Sequence, residues 1–351
     1  MNKDFIPGRL QFTPNLVYKT TVCSNPVDVC EHSWFSRVWH NITMKIFLTG
    51  GAGDLGQMVC ASLLGMGHTP VIFDVRKPAS VDKEKTSPGA PRIEFIEGSI
   101  TDHAPLAKAI AGTDIVVHIA AWHGIHEARQ EKNVYDFWDL NVGGTFNVFQ
   151  AAFEAGIKNV IFISSTSIDE RYGVYGHTKV LGEEIATTYA FRNNMNVITL
   201  RPRAFIPPWN RTVYSNFVEW AQWFSKGAVH ISDVAQAVIK SIELLSSDEQ
   251  QSLYQAPLFL TVDGAYQYTE EDLENWDADG AGSTFKRHYK QFYDLAVNMG
   301  LDPALKPTRL DISETQRILH YKPLYSLKTL LLELKMYGAA GPYTDRIQNS
   351  E

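Results

Sequence analysis

At 351 residues the chain has room for one large α/β domain with a smaller appendage, or for two ordinary domains. Its 44% hydrophobic and 20% charged residues are those of a globular protein with a sizeable core, and a net charge of −7 argues against a nucleic-acid-binding surface. Three cysteines make no disulfide framework for a chain this size, and no run approaches a membrane span or a signal peptide, so a cytoplasmic setting away from the membrane is expected.

Residues 1–43 hold no sustained hydrophobic period and contain Pro7, Pro14 and Pro26. They read either as an extension outside a fold that begins at Met44 or as an arm packed on its surface. Cys23 and Cys30 with His32 match no zinc spacing, and no metal is expected.

From Met44 the pattern changes. Apolar runs at Lys45–Thr49, Pro70–Val75, Ile93–Glu97, Asp114–Ala120, Val160–Ser164 and Asn196–Arg201 alternate with helical patterns at Leu55–Met66, Ala104–Ala111, Phe137–Ala155 and Lys179–Phe191. Near-continuous apolar strands between amphipathic helices predict a parallel sheet covered on both faces, a doubly wound α/β (Rossmann) fold. Beyond Arg203 one helix stands out at Ile231–Leu245, with Ser232 or Asp233 as its expected cap, and Leu258–Val262 reads as a further strand. The expected organisation is a Rossmann domain over 44–204, completed by about 230–262. Residues 205–229 and 263–351 then make a smaller substrate-binding lobe and the C-terminal tail.

Thr49–Gly56 supplies Gly50, Gly53 and Gly56 in the spacing G-x-x-G-x-x-G between a strand and a helix. Gly50 permits a tight turn, Gly53 a close approach to a pyrophosphate, and Gly56 close packing of helix on strand. Asp54 and Leu55 open the helix, whose free N–H groups and positive end suit phosphate. Asp74, 18 residues past Gly56, closes the second strand; a carboxylate there accepts from ribose hydroxyls and repels a 2′-phosphate, favouring NAD over NADP. Arg76 pulls the other way.

Tyr175 and Lys179 form Y-x-x-x-K at helical i, i+4 spacing. A phenol near pKa 10 needs roughly 4 kcal/mol of differential stabilisation to act as a base at neutral pH, and a nearby ammonium pushes that way. Upstream, the strand at Ile161–Ile163 ends in four hydroxyls, Ser164 to Ser167, suited either to hold a substrate oxygen or simply to cap the next helix.

On these motifs the chain resembles an extended short-chain dehydrogenase/reductase of the NAD-dependent epimerase/dehydratase family. The resemblance spans about residues 45–335 and includes Glu97–Asp102, Val117–Ala121, Asn141–Asn147, Leu200–Pro202 and Val229–Ala235. It implies Tyr175 as general acid/base, Lys179 as its ribose-binding partner, and Thr166 as the hydroxyl on the substrate oxygen, with Ser165 as the second candidate. It further implies that Ser99, Ile100, Ala120 and Ala121 line the adenosine and ribose, that Asn141 orients the middle of the site, and that His118 is structural. A homodimer through the helices at Phe137–Ala155 and Lys179–Phe191 is also implied.

The pattern departs from the family in places. Nine positions separate Thr166 from Tyr175, a short loop, and the acid pair Asp169-Glu170 is displaced from the place a sugar dehydratase needs. Ala204 stands where nucleotide-sugar epimerases commonly carry asparagine, and between Phe205 and His230 the cations are Arg211 and Lys226 alone, few for clamping a diphosphate. The same stretch carries Phe205, Trp209, Tyr214, Phe217, Trp220, Trp223 and Phe224, which either meet a substrate or fill a small core. Trp122 and His123 follow the fourth strand and are candidates for substrate contact, as is His126. The expected function is NAD-dependent hydride transfer at a hydroxyl or carbonyl carbon of a small, sugar-like substrate, ending as a dehydrogenase/reductase or as an epimerase. Two other readings stand beside it: a nucleotide-sugar epimerase with tightly held NAD, and a non-catalytic dinucleotide sensor on the same fold.

Overall fold

Residues 43–78, 81, 92–170, 173–247 and 256–343 are described by a computed structural model. The segment 1–42, with the Cys23, Cys30 and His32 grouping, and the tail from 344 lie outside the described residues.

Seven strands, β1 (Lys45–Thr49), β2 (Thr69–Asp74), β3 (Glu94–Glu97), β4 (Ile115–His118), β5 (Asn159–Ile163), β6 (Asn196–Pro202) and β7 (Leu258–Val262), form one sheet in the order β3-β2-β1-β4-β5-β6-β7. Every pairing is parallel. Side chains alternate between faces along each strand, so the apolar runs split into two cores. Ile46, Leu48, Val117, Ile161, Ile163, Ile198 and Leu200 face one layer of helices; Phe47, Val116, Val160, Phe162 and Val197 face the other. The first layer holds α1 (Asp54–Gly65), and the second holds α2 (His103–Ile110), which packs on the helix that follows β4.

The long helix expected over Phe137–Ala155 is three pieces. After the short α3 (Gly124–Ala128), α4 (Val134–Phe137) runs into a π-helical turn, Trp138–Gly144, before α5 (Thr145–Glu154). Gly144 ends this turn close against Ile100, where a Cβ would lie 2.5 Å from Cδ1. Single π turns of this kind occur often at functional sites, and this one carries Asn141 inward. Helix α6 (Val174–Asn193) starts earlier than its apolar pattern, and places both Tyr175 and Lys179 in its first two turns.

Beyond β6 come α7 (Phe217–Phe224) and α8 (Ile231–Leu245), the second returning to the sheet beside α1. The cap of α8 is neither Ser232 nor Asp233 but His230, whose Nδ1 accepts from the Ser232 N–H at 3.2 Å. Asp233 is turned instead to the Leu324 and Tyr325 amides, at 2.9 and 3.1 Å, where two buried N–H groups need an acceptor. After β7, short helices α9 (Glu270–Glu274), α10 (Ser283–Tyr289), α11 (Tyr293–Asn298), α12 (Ser313–Leu319) and α13 (Leu327–Tyr337) follow. Tyr214, Phe217, Trp220 and Phe224 join residues of α10 and α13 in a third cluster, so these rings fill a core. Among the described residues no helix is long and apolar enough to cross a membrane.

Candidate active site

The strand order reverses between β1 and β4, and the crevice at their carboxyl ends is the place such sheets offer a ligand. Gly50 sits there with φ +69°, and a Cβ on it would lie 2.7 Å from the Ala120 nitrogen. Backbone meets backbone at that point. Gly56 is equally constrained, since its Cβ would lie 2.5 Å from Gly51 Cα. Gly53 is the N-cap of α1 and brings no side chain to it, so the first N–H groups of the helix have no side-chain cap. Leu55 is buried in the core and can offer a ligand only its backbone. The Asp54 carboxylate turns away to accept the Trp209 indole N–H at 2.6 Å.

Asp74 ends β2 with one carboxylate oxygen on the Ala52 N–H and the other on the Arg76 N–H, both at 3.1 Å. The carboxylate is thereby fixed against the glycine-rich loop, with further lone pairs free for hydroxyl groups. Ser99 Oγ pairs with Thr101 Oγ1 at 2.7 Å near the β3 end of the crevice, while the Ile100 side chain is buried against Gly144. Ala121 follows Ala120 at the crevice floor, partly buried.

At the end of β5, Ser165 is buried, with its hydroxyl close enough to the Tyr175 phenol to act on its ionisation. The same oxygen accepts the Ser167 N–H at 3.0 Å, starting the 3₁₀ turn Thr166–Asp169. Gly176 permits this contact: a Cβ there would lie 2.4 Å from the Ser167 carbonyl oxygen, so only glycine lets the turn lie against α6. Thr166 is partly buried, one residue further along the turn. Burial pushes the Tyr175 phenol up to about 12, with the Ser165 hydrogen bond acting against it. Lys179 Nζ lies 5.9 Å from the phenol ring centroid and donates to the Ile163 carbonyl at 2.8 Å. Burial draws the Lys179 ammonium itself down to about 8, partly offset by Glu183. Glu183, one turn further along α6, accepts from Ser164 Oγ at 2.6 Å and from two Arg201 nitrogens at 2.9 and 2.6 Å.

The loop after β4 is tied to the same helix twice. Asn141 accepts the Trp122 N–H at 2.8 Å and donates to the Trp122 carbonyl at 2.9 Å and to Thr178 Oγ1 at 3.0 Å. Its amide is thus satisfied within the protein and orients the Trp122 backbone against α6. Glu127 makes the second tie, its carboxylate oxygens accepting the Val174 and Tyr175 N–H groups at 2.7 and 2.8 Å. Glu127 and Gly176 were not singled out from the sequence. The signal for the first is Gly173, an N-cap without a side chain on a long helix, which needs an acceptor from elsewhere.

Between these ties lies the substrate-side loop. His123 is exposed, and desolvation, then His126 and Lys179, holds its imidazole below the usual range. Gly124 abuts the Tyr175 ring, its ideal Cβ 3.4 Å from Cδ1. Lys132 covers the Trp122 ring at 4.1 Å. His118, fully buried between Thr49 Oγ1 and Thr145 Oγ1 at 2.7 and 2.9 Å, is held down to about 3 by burial and Lys179; it braces β1, β4 and α5.

Across the crevice, the Arg203 guanidinium is committed to Asp263, the Tyr266 hydroxyl and the Thr308 carbonyl. Arg211 keeps one buried nitrogen, Nη1, without a hydrogen-bond partner. A cavity of about 50 Å³ lined by Phe224, Tyr266, Tyr268, Tyr289 and Tyr325 lies apart from this crevice, and is of a size for a water molecule or two.

A family model described as the NAD dependent epimerase/dehydratase family matches residues 46–255. The 3 beta-hydroxysteroid dehydrogenase/Delta 5-->4-isomerase of Mycobacterium tuberculosis is 28% identical over 197 residues, which cover 50% of this chain and 50% of that protein. The UDP-glucose 4-epimerase of Haemophilus influenzae is 34% identical over 143 residues, 39% of this chain and 40% of that one. The chain thus spans half or less of the length of these two relatives. The solved UDP-glucuronic acid 4-epimerase from Bacillus cereus in complex with NAD shares the fold, with TM-score 0.60 and 19% identity over 87% of this chain and 99% of that one.

Proposed function

The chain belongs to the NAD dependent epimerase/dehydratase family, and from that premise we propose that it oxidises or reduces a carbon bearing a hydroxyl or carbonyl on a small, sugar-like substrate. Tyr175 exchanges the proton, Ser165 holds the reacting oxygen, and Lys179 holds the nicotinamide ribose. The observation that carries this reading is that Tyr175 stands in the first turn of α6 with Lys179 one helical turn on, its Nζ on the Ile163 carbonyl at 2.8 Å, at the strand ends beside the Gly50–Ala120 crevice.

The residues present fit a dinucleotide. Gly50 and Ala120 leave the cleft floor bare, Gly53 leaves the first N–H groups of α1 without a side-chain cap, and Asp74 is fixed for ribose hydroxyls. The Asp74 carboxylate disfavours a 2′-phosphate, so the cofactor is NAD rather than NADP. NAD, when bound, supplies the two-electron acceptor and a positive ring charge beside the phenol. Without that charge the phenol stays protonated, poised to give its proton to a carbonyl oxygen. Ser165, near the phenol, bridges it to a substrate oxygen, and Thr166, one residue beyond, is a further contact. Trp122 and His123 line the opposite side as hydrogen-bond and ring contacts.

The relatives named above act, by their names, on a steroid and on UDP-glucose. For this chain a substrate without a nucleotide diphosphate is the better fit. Arg203 is already committed and Ala204 brings no amide, which leaves Arg211 and Lys226 as the cations of that stretch, few for clamping a diphosphate. Exposed Phe146, Phe153 and Phe191 on the adjoining helices α5 and α6 fit a homodimer through that face.

The test has two arms. Denaturing the purified protein and identifying the released nucleotide by mass separates NAD from NADP, and a retained from an exchanging cofactor. Offering NAD with a panel of aldoses, uronic acids, UDP-sugars and a 3β-hydroxysteroid, and following nicotinamide absorbance, then separates substrate classes. Tyr175→Phe should abolish turnover, by about 100-fold or more, with cofactor affinity nearly intact. Full activity in that variant would refute the mechanism. NAD binding with no turnover of any substrate would favour a sensor.

A further inference from the structure

We propose that Glu127 is a positioning residue that holds Tyr175 in register with the substrate-side loop, so that the loop touching the substrate and the helix carrying the acid/base move as one body. The inference rests on the assignment of Tyr175 above.

Helix α6 begins at Val174 behind Gly173, whose extended backbone (φ −82°, ψ 151°) is that of an N-cap but which has no side chain to accept a hydrogen bond. The missing acceptor arrives from 47 residues upstream. Glu127 Oε1 accepts the Val174 N–H at 2.7 Å and Oε2 accepts the Tyr175 N–H at 2.8 Å, so both oxygens of one carboxylate grip consecutive peptides. These bonds are charge-assisted and lie on the positive end of a 20-residue helix. The second of them is to the backbone of the residue whose phenol is at issue.

Glu127 belongs to α3, four residues after His123 and three after Gly124, which packs on the Tyr175 ring. Any displacement of Trp122 or His123 by a substrate is therefore transmitted to the first turn of α6 through a short, rigid link. A local serine or aspartate at position 173 would cap the helix equally well, but would leave the loop tied to α6 through Asn141 and not at Tyr175. The remote cap adds a connection that local capping does not provide. Since a misplacement of about 1 Å can cost about 100-fold in rate, that connection has catalytic weight.

The experiment uses the full chain as wild type, Glu127→Ala, Glu127→Gln, and Glu127→Ala combined with Gly173→Asp. The last supplies a local cap in a position where the native carboxylate no longer stands. Amide exchange over 174–178, the ring signal of isotope-labelled Tyr175, and NAD turnover with the active panel member are followed in each. Glu127→Ala should raise exchange in the first turn about tenfold, the factor for losing one N-cap. It should also shift the Tyr175 signal and lower kcat by about 10- to 100-fold, with KM for NAD within about twofold. Glu127→Gln, which keeps one acceptor oxygen, should fall between. In the double variant the exchange protection should return while the Tyr175 signal and kcat stay altered. Wild-type behaviour of Glu127→Ala would overturn the proposal, and so would return of the ring signal and kcat together with protection, which is the signature of a cap and nothing more. The ring signal needs no turnover, so an inactive wild type would count against the enzymatic reading and leave this test intact.

Discussion

Lys179 is 4% exposed and carries its charge into the wall between β5 and α6, and that arrangement should be visible as a stability deficit. Its ammonium is drawn from the ordinary 10.5 to about 8. At 1.36 kcal/mol per pH unit, this difference corresponds to about 3 kcal/mol of native-state penalty while the group is charged. Linkage sets the sign. Between about pH 8 and 10.5 the unfolded chain still binds the proton and the native protein has released it, so wild-type stability rises with pH through that window. Lys179→Met removes the charge at nearly constant volume. Glu183 keeps Arg201 and Ser164, so no uncompensated carboxylate is left behind. The variant loses the bond to the Ile163 carbonyl, worth about 1–3 kcal/mol when the acceptor is stranded. At pH 7 it should therefore be as stable as wild type or more so, by about 1 kcal/mol, while turnover is lost. At pH 10.5 the order should reverse, the difference having moved by about 3 kcal/mol. Tyr175 titrates in both proteins and cancels in the difference. Urea unfolding of the two proteins across pH 7 to about 10.5 measures it directly. A stability difference that does not change with pH would refute the claim that Lys179 is held charged against burial.

Gly50→Ala should be far more damaging than a usual glycine substitution. It forces an L residue to φ +69° and drives a Cβ to 2.7 Å from the Ala120 nitrogen, a backbone atom that cannot swing aside. A loss of about 2–4 kcal/mol in urea unfolding and a collapse of NAD affinity are expected, and a variant with normal affinity would mean that β1 and β4 do not form the cofactor floor. On the α5–α6 face, Phe153→Glu should convert a dimer to a monomer in sedimentation equilibrium; a wild-type monomer would place the partner of these rings elsewhere.

Much of the fold was legible because strand and helix periods differ. The runs at Lys45–Thr49 and Leu258–Val262 coincide with β1 and β7, and the Ile231–Leu245 pattern with α8. A strand buried on both faces has to be apolar throughout, and a helix between strands has to be apolar on one stripe, so each announces itself locally. The failures lie where a distant partner sets the local structure. The Phe137–Ala155 pattern is continuous in sequence, but Trp138–Gly144 is a π turn whose last residue, Gly144, packs on Ile100 with no room for a Cβ. At the start of α8 the usual ranking of caps favours Ser232 or Asp233 over histidine. Two amides 91 and 92 residues away claim Asp233, and the imidazole of His230 takes the vacant role.

The same division runs through the site. Tyr175 and Lys179 are one helical turn apart, so their spacing alone brings them to one face. The hydroxyl that meets the phenol could not be settled that way, because Ser164, Ser165, Thr166 and Ser167 are chemically alike and alternate in direction at a strand end. In the structure Gly176 has no Cβ to keep the Ser167 carbonyl off α6, Ser164 donates to Glu183, and the Ser165 hydroxyl lies near the phenol. The pKa of the phenol escaped sequence reasoning for a related reason. Adjacency to a lysine was expected to lower it, whereas burial is the larger effect and pushes it up. A residue type and a spacing fix which groups can meet; the direction of each effect is fixed by what else each group is bonded to.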